Sequence, residues 1–112
     1  MQRSIVFAIV AALSLAVVAA QDTPKVIEVE QLEDNLFVLR GEGGGGNTGV
    51  FVTTNGVVVV DTKNPGWGQP ILEAIGTLTG NPVTTLINTH SHGDHVSGNV
   101  AFAPTVEFEA HD

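Results

Sequence analysis

Cysteine is missing from all 112 positions of the chain. Without it the chain can form no disulfide bond and can carry no lipid on a cysteine behind an N-terminal leader. It also has no thiolate to offer a metal ion. Any metal bound by these residues is therefore held by nitrogen and oxygen atoms.

Basic residues are scarce as well. Four Lys and Arg residues face twelve Asp and Glu residues, which gives a formal net charge of −8 at pH 7. A chain of this charge is repelled by the phosphates of nucleic acids and by anionic membrane surfaces. We therefore expect neither of them as a partner, and we interpret the acidity as a contribution to solubility.

A long apolar run lies near the N-terminus, at residues 5–18. Arg3 precedes the run, and the small residues at 18–20 lead into Gln21. This is the pattern of a secretory signal peptide, whereas a membrane anchor, the alternative, needs roughly 20 apolar residues to span the bilayer. We predict that residues 1–20 are a cleaved signal peptide. The protein would then be exported, to the periplasm or out of the cell, with no stable membrane association afterwards.

Residues 21–112 provide enough chain for one small domain and too little for two. Their polar and apolar pattern predicts strands at 26–32, 36–40, 48–54, 57–61, 83–88 and 105–108. The first strand mixes apolar and acidic residues in near-alternation and is expected to be half-buried. Apolar residues at helical spacing after Pro70 predict a helix that ends before Gly80, and residues 96–102 a short helical turn. Hairpins followed by a strand–helix–strand unit indicate a mixed α/β sheet with its helix on one face.

Three histidines and an aspartate lie within the six residues 90–95 (HSHGDH). Zinc and similar metals take imidazole nitrogen and carboxylate oxygen as ligands. Residues i and i+2 of an extended segment point to the same side, so His90 and His92 could bind one ion together. A glycine then allows a sharp turn, after which Asp94 and His95 can face a second position nearby. The alternative interpretation is a solvated polar loop.

Residues 89–99 (THSHGDHVSGN) resemble the His-x-His-x-Asp-His-x-x-Gly-Asn signature of the metallo-β-lactamase fold family. The apolar strand that ends at Asp61 and the Gly-Gly-Asn-Thr-Gly sequence at 45–49 are similar to the same family. The resemblance covers about residues 26–112, which correspond to the N-terminal part of the family's domain. It implies an α/β fold that forms the N-terminal half of an αβ/βα sandwich.

The resemblance also implies a set of metal ligands. His90 and His92 would bind a first metal ion, and Asp94 and His95 a second. Asp94 is in addition the catalytic candidate, because a carboxylate beside a water molecule at the metal can orient that water or move its proton. The implied cofactor is Zn²⁺, as one or two ions, with another divalent metal as the alternative.

Two residues are expected to support these ligands without binding the metal themselves. The resemblance implies that Asp61 hydrogen-bonds to the histidine loop and holds it in shape, a kind of contact that can matter nearly as much as a ligand. The alternative for Asp61 is an exposed carboxylate that caps a turn at the strand end. We expect Asn99 to fix the loop by bonding its main-chain groups.

Three other features leave alternatives open. Residues 41–47 contain five glycines but precede no Gly-Lys-Ser or Gly-Lys-Thr sequence, so we expect a flexible hairpin tip near the metal cleft rather than a phosphate site. Trp67 either covers the core or lines a substrate pocket. His111 follows the motif too soon to be the family's third histidine ligand, which comes from a later strand.

The implied function is metal-dependent hydrolysis of a small molecule. Hydroxide formed from water at the metal would attack an ester, lactam, lactone or thioester-type bond. The family's complete site also needs ligands from the C-terminal half of the domain, and residues 21–112 supply no convincing counterpart. We therefore expect the missing C-terminal half to be the partner that completes the site, and this chain alone to be inactive. The alternatives are a truncated, non-catalytic half-domain with weak or no metal binding and a structural export protein with an incidental histidine loop.

Overall fold

The computed structural model describes residues 23–111, so the predicted signal peptide at residues 1–20 lies outside the described residues. Six strands are present: β1 (Glu28–Glu33), β2 (Leu36–Arg40), β3 (Thr48–Thr53), β4 (Gly56–Val60), β5 (Val83–Asn88) and β6 (Glu107–Ala110). There are two α-helices, α1 (Gly68–Leu78) and α2 (Gly93–Val96), and a 3₁₀ helix (Ser97–Ala101) directly follows α2. In this described part of the chain no helix is long and apolar enough to cross a membrane.

The strands form one sheet in the order in which they occur in the chain. Strands β1 to β4 are antiparallel, whereas β4, β5 and β6 run parallel. Parallel neighbours need a crossover connection, which α1 provides between β4 and β5. The predicted mixed α/β sheet is therefore confirmed.

The core lies between the sheet and α1. Ile71 and Ile75 of α1 are buried, in agreement with the predicted apolar stripe. The sheet and the segment after β5 contribute the other core residues: Phe37, Leu39, Val50, Val57, Val59, Leu86, Phe102 and Val106. The opposite face of the sheet is apolar at its centre, because Phe51 pairs with Leu36 and Val58 there and keeps 41% of its surface exposed.

Strand β1 differs most from its prediction. All six of its residues are exposed, so the expectation of a half-buried strand is wrong. The reason is its place at the edge of the sheet, where it pairs with β2 alone. Val29 and Leu32 therefore keep 42% and 48% of their surface exposed.

The bounds of the other elements shift by a few residues. Helix α1 begins at Gly68 rather than Pro70, which is tolerated in the first turn because its missing N–H would have no partner within the helix. A turn in which the Val106 N–H bonds the Ala103 carbonyl delays the last strand to Glu107–Ala110. The helical turn begins at Gly93, so part of the histidine motif is itself helical.

Candidate metal centre

The candidate site lies at the carboxyl ends of two neighbouring parallel strands. Asp61 follows β4 directly, and Thr89 and His90 follow β5. Val60 and Ile87 are partners in the ladder, and the Asp61 N–H donates to the Ile87 carbonyl at 2.9 Å. Because parallel strands end at the same edge of a sheet, this register brings Asp61 beside the histidine loop.

Asp61 is the centre of the hydrogen bonds that shape this loop. Its Oδ1 accepts the Thr89 N–H at 2.8 Å, and its Oδ2 accepts the Thr89 hydroxyl at 2.6 Å. The same Oδ2 lies 2.7 Å from Nδ1 of His95. The residue is only 4% exposed, so the alternative of an exposed turn-capping carboxylate is wrong. These are the contacts expected of a residue that holds the loop in shape. The effect of Asp61 on metal binding stays a prediction.

The charge of Asp61 is stabilised although the residue is buried. Burial on its own raises the pKa of the Asp61 carboxyl, but the hydrogen bonds from Thr89 and the contact with His95 outweigh it and lower the pKa below its usual value. The carboxylate is therefore ionised at neutral pH. Its φ of 62° lies in the left-handed region, which is uncommon for residues other than glycine and is often found at functional sites.

The three histidines of the motif lie close together. The ring centroids of His90 and His95 are 4.1 Å apart, and those of His90 and His92 are 4.8 Å apart. Asp94 Oδ2 lies 3.5 Å from Nε2 of His95. Asp61, His90 and His95 each offer one ligating atom within 4.8 Å of the others. The structure thus brings His90 and His95 together as closely as His90 and His92, so the assignment of two separate ligand pairs stays a prediction.

The hydrogen bonds around Asp61 determine which ring nitrogen of His90 and of His95 acts as a donor. The Thr89 hydroxyl has one proton, and donating it to Asp61 leaves its oxygen to accept from Nδ1–H of His90, 2.8 Å away. His95 likewise donates its Nδ1–H to Asp61. In the neutral imidazole this leaves the lone pair on Nε2, which is the arrangement of a metal-binding histidine whose other nitrogen is held by a carboxylate or hydroxyl. Residues of this chemistry fit a zinc ion or a similar divalent metal.

Asn99 contributes to the same region through partners other than those predicted. Its side chain exchanges hydrogen bonds with the Asn88 amide at 2.6 and 3.2 Å and accepts the Thr62 hydroxyl at 2.7 Å. The expectation of bonds to main-chain groups is therefore wrong. The reason is that the 3₁₀ helix places Asn99 beside the last residue of β5, while the Thr62 N–H takes the His95 carbonyl at 2.8 Å.

Lys63 is the residue near the site that sequence reasoning missed. Its side chain has no exposed surface, and its Nζ donates to the main-chain carbonyls of Leu39 at 2.8 Å and Gly46 at 2.7 Å. Burial, assisted by the nearby charge of Arg40, lowers the pKa of Lys63 to about 8. The available signal was its position two residues after Asp61 in a chain with few cations.

The glycine loop, residues 41–47, forms one wall of the site. A Cβ atom at Gly46 would lie 2.4 Å from Cε1 of His95, and one at Gly45 would lie 2.5 Å from Cβ of Asp94. The Gly46 N–H donates to the Asp94 carbonyl at 3.1 Å. The loop is thus near the histidines, as predicted, and side chains at these two positions would collide with the motif.

The remaining predicted features lie away from the three clustered groups. Trp67 is 5% exposed and packs against the glycine loop, where a Cβ at Gly41 would be 2.4 Å from its ring. It also borders a cavity of about 580 Å³ together with Lys25 and Glu42. His111 follows β6, is exposed, and does not belong to the cluster of Asp61, His90 and His95.

Comparisons with known proteins identify the family of this chain. The family described as "Metallo-beta-lactamase superfamily" matches residues 41–109. A hydroxyacylglutathione hydrolase of Methylococcus capsulatus is 33% identical over 76 residues, which are 68% of this chain and 25% of that protein. Metallo-beta-lactamase domain-containing protein 1 of Rattus norvegicus is 36% identical over 63 residues, covering 54% of this chain and 25% of the relative.

Solved structures show the same fold. A subclass B3 metallo-beta-lactamase of Bradyrhizobium japonicum superposes with a TM-score of 0.56 at 30% identity, covering 66% of this chain and 28% of the other. A sec-alkylsulfatase from Pseudomonas sp. gives a TM-score of 0.65 at 18% identity over 74% of this chain and 14% of the other, which bears on the fold alone. The chain spans about a quarter of the length of the curated relatives it matches. By its matched residues and its fold, the chain belongs to the metallo-β-lactamase superfamily.

Proposed function

We propose that this chain is the N-terminal, metal-binding part of a hydrolase that acts on a small molecule. One observation carries the proposal. A single buried carboxylate, Asp61, holds His95 directly and His90 through Thr89, and the two imidazole rings lie with their centroids 4.1 Å apart. Such an arrangement has little use in a structural protein, because it gathers polar groups that must each be satisfied.

The proposed cofactor is zinc, as one or two ions. His90 and His92 would hold the first, and Asp94 and His95 the second, in keeping with an all-nitrogen and all-oxygen donor set. When bound, zinc lowers the pKa of water to about 7 and polarises the bond to be cleaved. Asp94, whose side chain is 46% exposed, would orient the attacking water and accept its proton at a carboxylate oxygen.

The proposed substrates contain an ester, lactam, lactone or thioester-type bond. The support comes from relatives that are named as a hydroxyacylglutathione hydrolase and a subclass B3 metallo-beta-lactamase. Catalytic zinc normally has three protein ligands and a water molecule, and the motif provides two per ion. We therefore assign activity to the complete gene product that carries this chain, with the C-terminal half of the domain as the source of the remaining ligands.

The decisive experiment measures zinc in that complete gene product. Replacing both His90 and His92 with Ala should abolish stoichiometric zinc binding, measured by elemental analysis after dialysis. His111→Ala is the control, because it removes an exposed imidazole outside the cluster and should leave the zinc content unchanged. Full zinc content in the double variant would refute the site. Zinc-free wild-type protein would favour the alternative of a non-catalytic half-domain.

We also propose that the protein is exported, on the strength of the signal pattern at residues 1–20. Mass spectrometry of the protein recovered from its native host should then find a mature N-terminus at or close to Gln21. An intact Met1 on membrane-bound protein would instead support the anchor.

A further inference from the structure

Lys63 has an environment that is costly for a cation. The whole residue is buried, and the two hydrogen-bond partners of its Nζ are main-chain carbonyls. Between residues 23 and 111 no acidic side chain lies within ion-pair distance of this ammonium. A buried charge without a counterion is unfavourable. We therefore expect its hydrogen bonds to stabilise a local conformation that a smaller or apolar residue would not stabilise.

The two carbonyls that Lys63 binds lie at opposite ends of the glycine loop. Leu39 precedes the loop near the end of β2, and Gly46 closes it just before β3. Asn64 holds the middle of the loop, since its N–H donates to the Gly44 carbonyl at 2.9 Å and its side-chain amide to the Gly43 carbonyl at 3.0 Å. Two consecutive residues thus bind four carbonyls in or beside a loop that contains five glycines.

Such a loop cannot hold this conformation through its own side chains. Glycine loses more conformational freedom on ordering than any other residue, and Gly43 and Gly45 both have φ near 80°. Yet the loop has to be placed accurately, because it runs so close to the motif that a Cβ atom at Gly46 would lie 2.4 to 2.8 Å from three atoms of the His95 ring. Inside the loop the Gly44 N–H donates to the Gly41 carbonyl at 3.0 Å, and the donors to its other bonded carbonyls lie outside the loop.

Lys63 also connects this loop to the motif through its own main chain. Its carbonyl accepts the Ser97 N–H at 3.2 Å, and the preceding residue, Thr62, donates to the His95 carbonyl. The backbone of Lys63 is in the left-handed region at φ 68°. In this conformation its side chain bonds the glycine loop, while its main chain bonds the segment after the histidine motif. Residues 62–64 therefore join the glycine loop on one side to the end of the histidine motif on the other.

We propose that Lys63 is a positioning residue that clamps the glycine loop against His95 and Asp94 and so fixes the orientation of these two groups. The proposal rests on the proposed function in one respect, namely that His95 and Asp94 bind metal. The clamp itself is a property of the metal-free protein. It can therefore be tested separately from the chemistry of the site.

The test compares amide hydrogen exchange in the complete gene product, metal-free, by nuclear magnetic resonance. Lys63→Met keeps the length of the side chain and removes its donors. The amides of Gly44 and Gly46 should exchange about tenfold faster or more, as expected when hydrogen bonds from a charged donor are lost. Lys25→Met is the control, because it removes an exposed lysine that precedes β1 and should leave the exchange of both amides unchanged.

Chemical restoration separates the ammonium from the packing of the side chain. These 112 residues contain no cysteine, so in a complete gene product whose further cysteines are replaced by Ser, Lys63→Cys can be alkylated at this position, in denaturant, with 2-bromoethylamine to restore an ammonium of nearly the same length. Alkylation with 1-bromopropane gives an uncharged equivalent. After refolding, slow exchange at Gly46 should return only with the amine. Should Lys63→Met lose its cooperative unfolding transition, Lys63→Gln, which retains one donor group, is measured in its place.

Zinc affinity is the second measurement. It should fall about tenfold in Lys63→Met and recover in the aminoethylated protein. Unchanged exchange at Gly44 and Gly46 in a folded Lys63 variant would overturn the clamp, as would equal recovery with the propyl group. Faster exchange together with undiminished zinc affinity would overturn the link to the ligands. These outcomes are distinct from failure of the proposed function, which would appear as zinc bound independently of His90 and His92.

Discussion

Two loops flank the candidate metal centre, and they hold their shapes by opposite means. The histidine loop after β5 is fixed by side chains, with Thr89 and His95 both bonded to the buried carboxylate of Asp61. The glycine loop between β2 and β3 has few side chains and is fixed through its carbonyls by Lys63 and Asn64. The comparison shows that one site can combine a loop whose own side chains fix its shape with a loop whose carbonyls are held largely by neighbouring residues.

The largest effect should come from removing the centre of the histidine loop. Asp61→Ala leaves the Thr89 N–H and the Nδ1 nitrogen of His95 without their carboxylate, so we expect zinc affinity to fall by about 10–100-fold. Competition with a chelator measures the loss, and Glu109→Ala, an exposed acid on β6, serves as the control. An effect below about twofold would show that the loop keeps its shape without Asp61, and that both loops are ordered from elsewhere.

The glycine loop should be destabilised by an added side-chain atom rather than by the removal of a functional group. In Gly46→Ala the new methyl group would overlap the His95 ring, so we expect a loss of about 1–3 kcal/mol in the free energy of unfolding. Gly76→Ala is the control, because a Cβ there meets nothing within 4 Å, and in a helix it should stabilise by about 0.5–1 kcal/mol. Urea unfolding measures the free energy of unfolding of both variants. Equal behaviour of the two variants would mean that the glycine loop does not press against the motif.

A smaller effect should follow from removing the link between Asp61 and His90. Thr89→Val keeps the shape of the side chain but removes the hydroxyl that accepts from Nδ1 of His90. We expect zinc affinity to fall by up to about tenfold, because the ring loses the contact that fixes its tautomer. Thr89→Ser retains the hydroxyl and should retain the affinity. If Ser and Val behave alike, the orientation of His90 does not depend on Thr89.

The sequence allowed prediction of the parts of the molecule that depend on side-chain identity and spacing. The apolar stripe at Ile71 and Ile75 indicated α1, and the strand that ends at Asp61 indicated which acid would meet the histidine loop. The order of three histidines and an aspartate indicated the family directly, and the matched residues agree.

The remaining features depend on non-local geometry. The clamp at Lys63 donates to main-chain carbonyls, and such a contact leaves no pattern in the sequence because every residue has a carbonyl. The partners of Asn99 depend on where the 3₁₀ helix begins, and the exposure of β1 depends on its place at the edge of the sheet. In each case the contacts depend on how distant parts of the chain are placed against one another, which the local sequence does not determine.

The bare backbone of residues 43–46 has a consequence for how this part of the molecule can diversify. These four residues contribute no side chain beside His95, and Cβ atoms at Gly45 and Gly46 would meet the motif itself. A molecule approaching from there encounters only peptide groups, which distinguish poorly between one leaving group and another. Selectivity would then have to be encoded on the other borders of the cleft. In the proposed hydrolase, this flank could therefore remain unchanged while the other borders of the cleft determine which compounds are accepted.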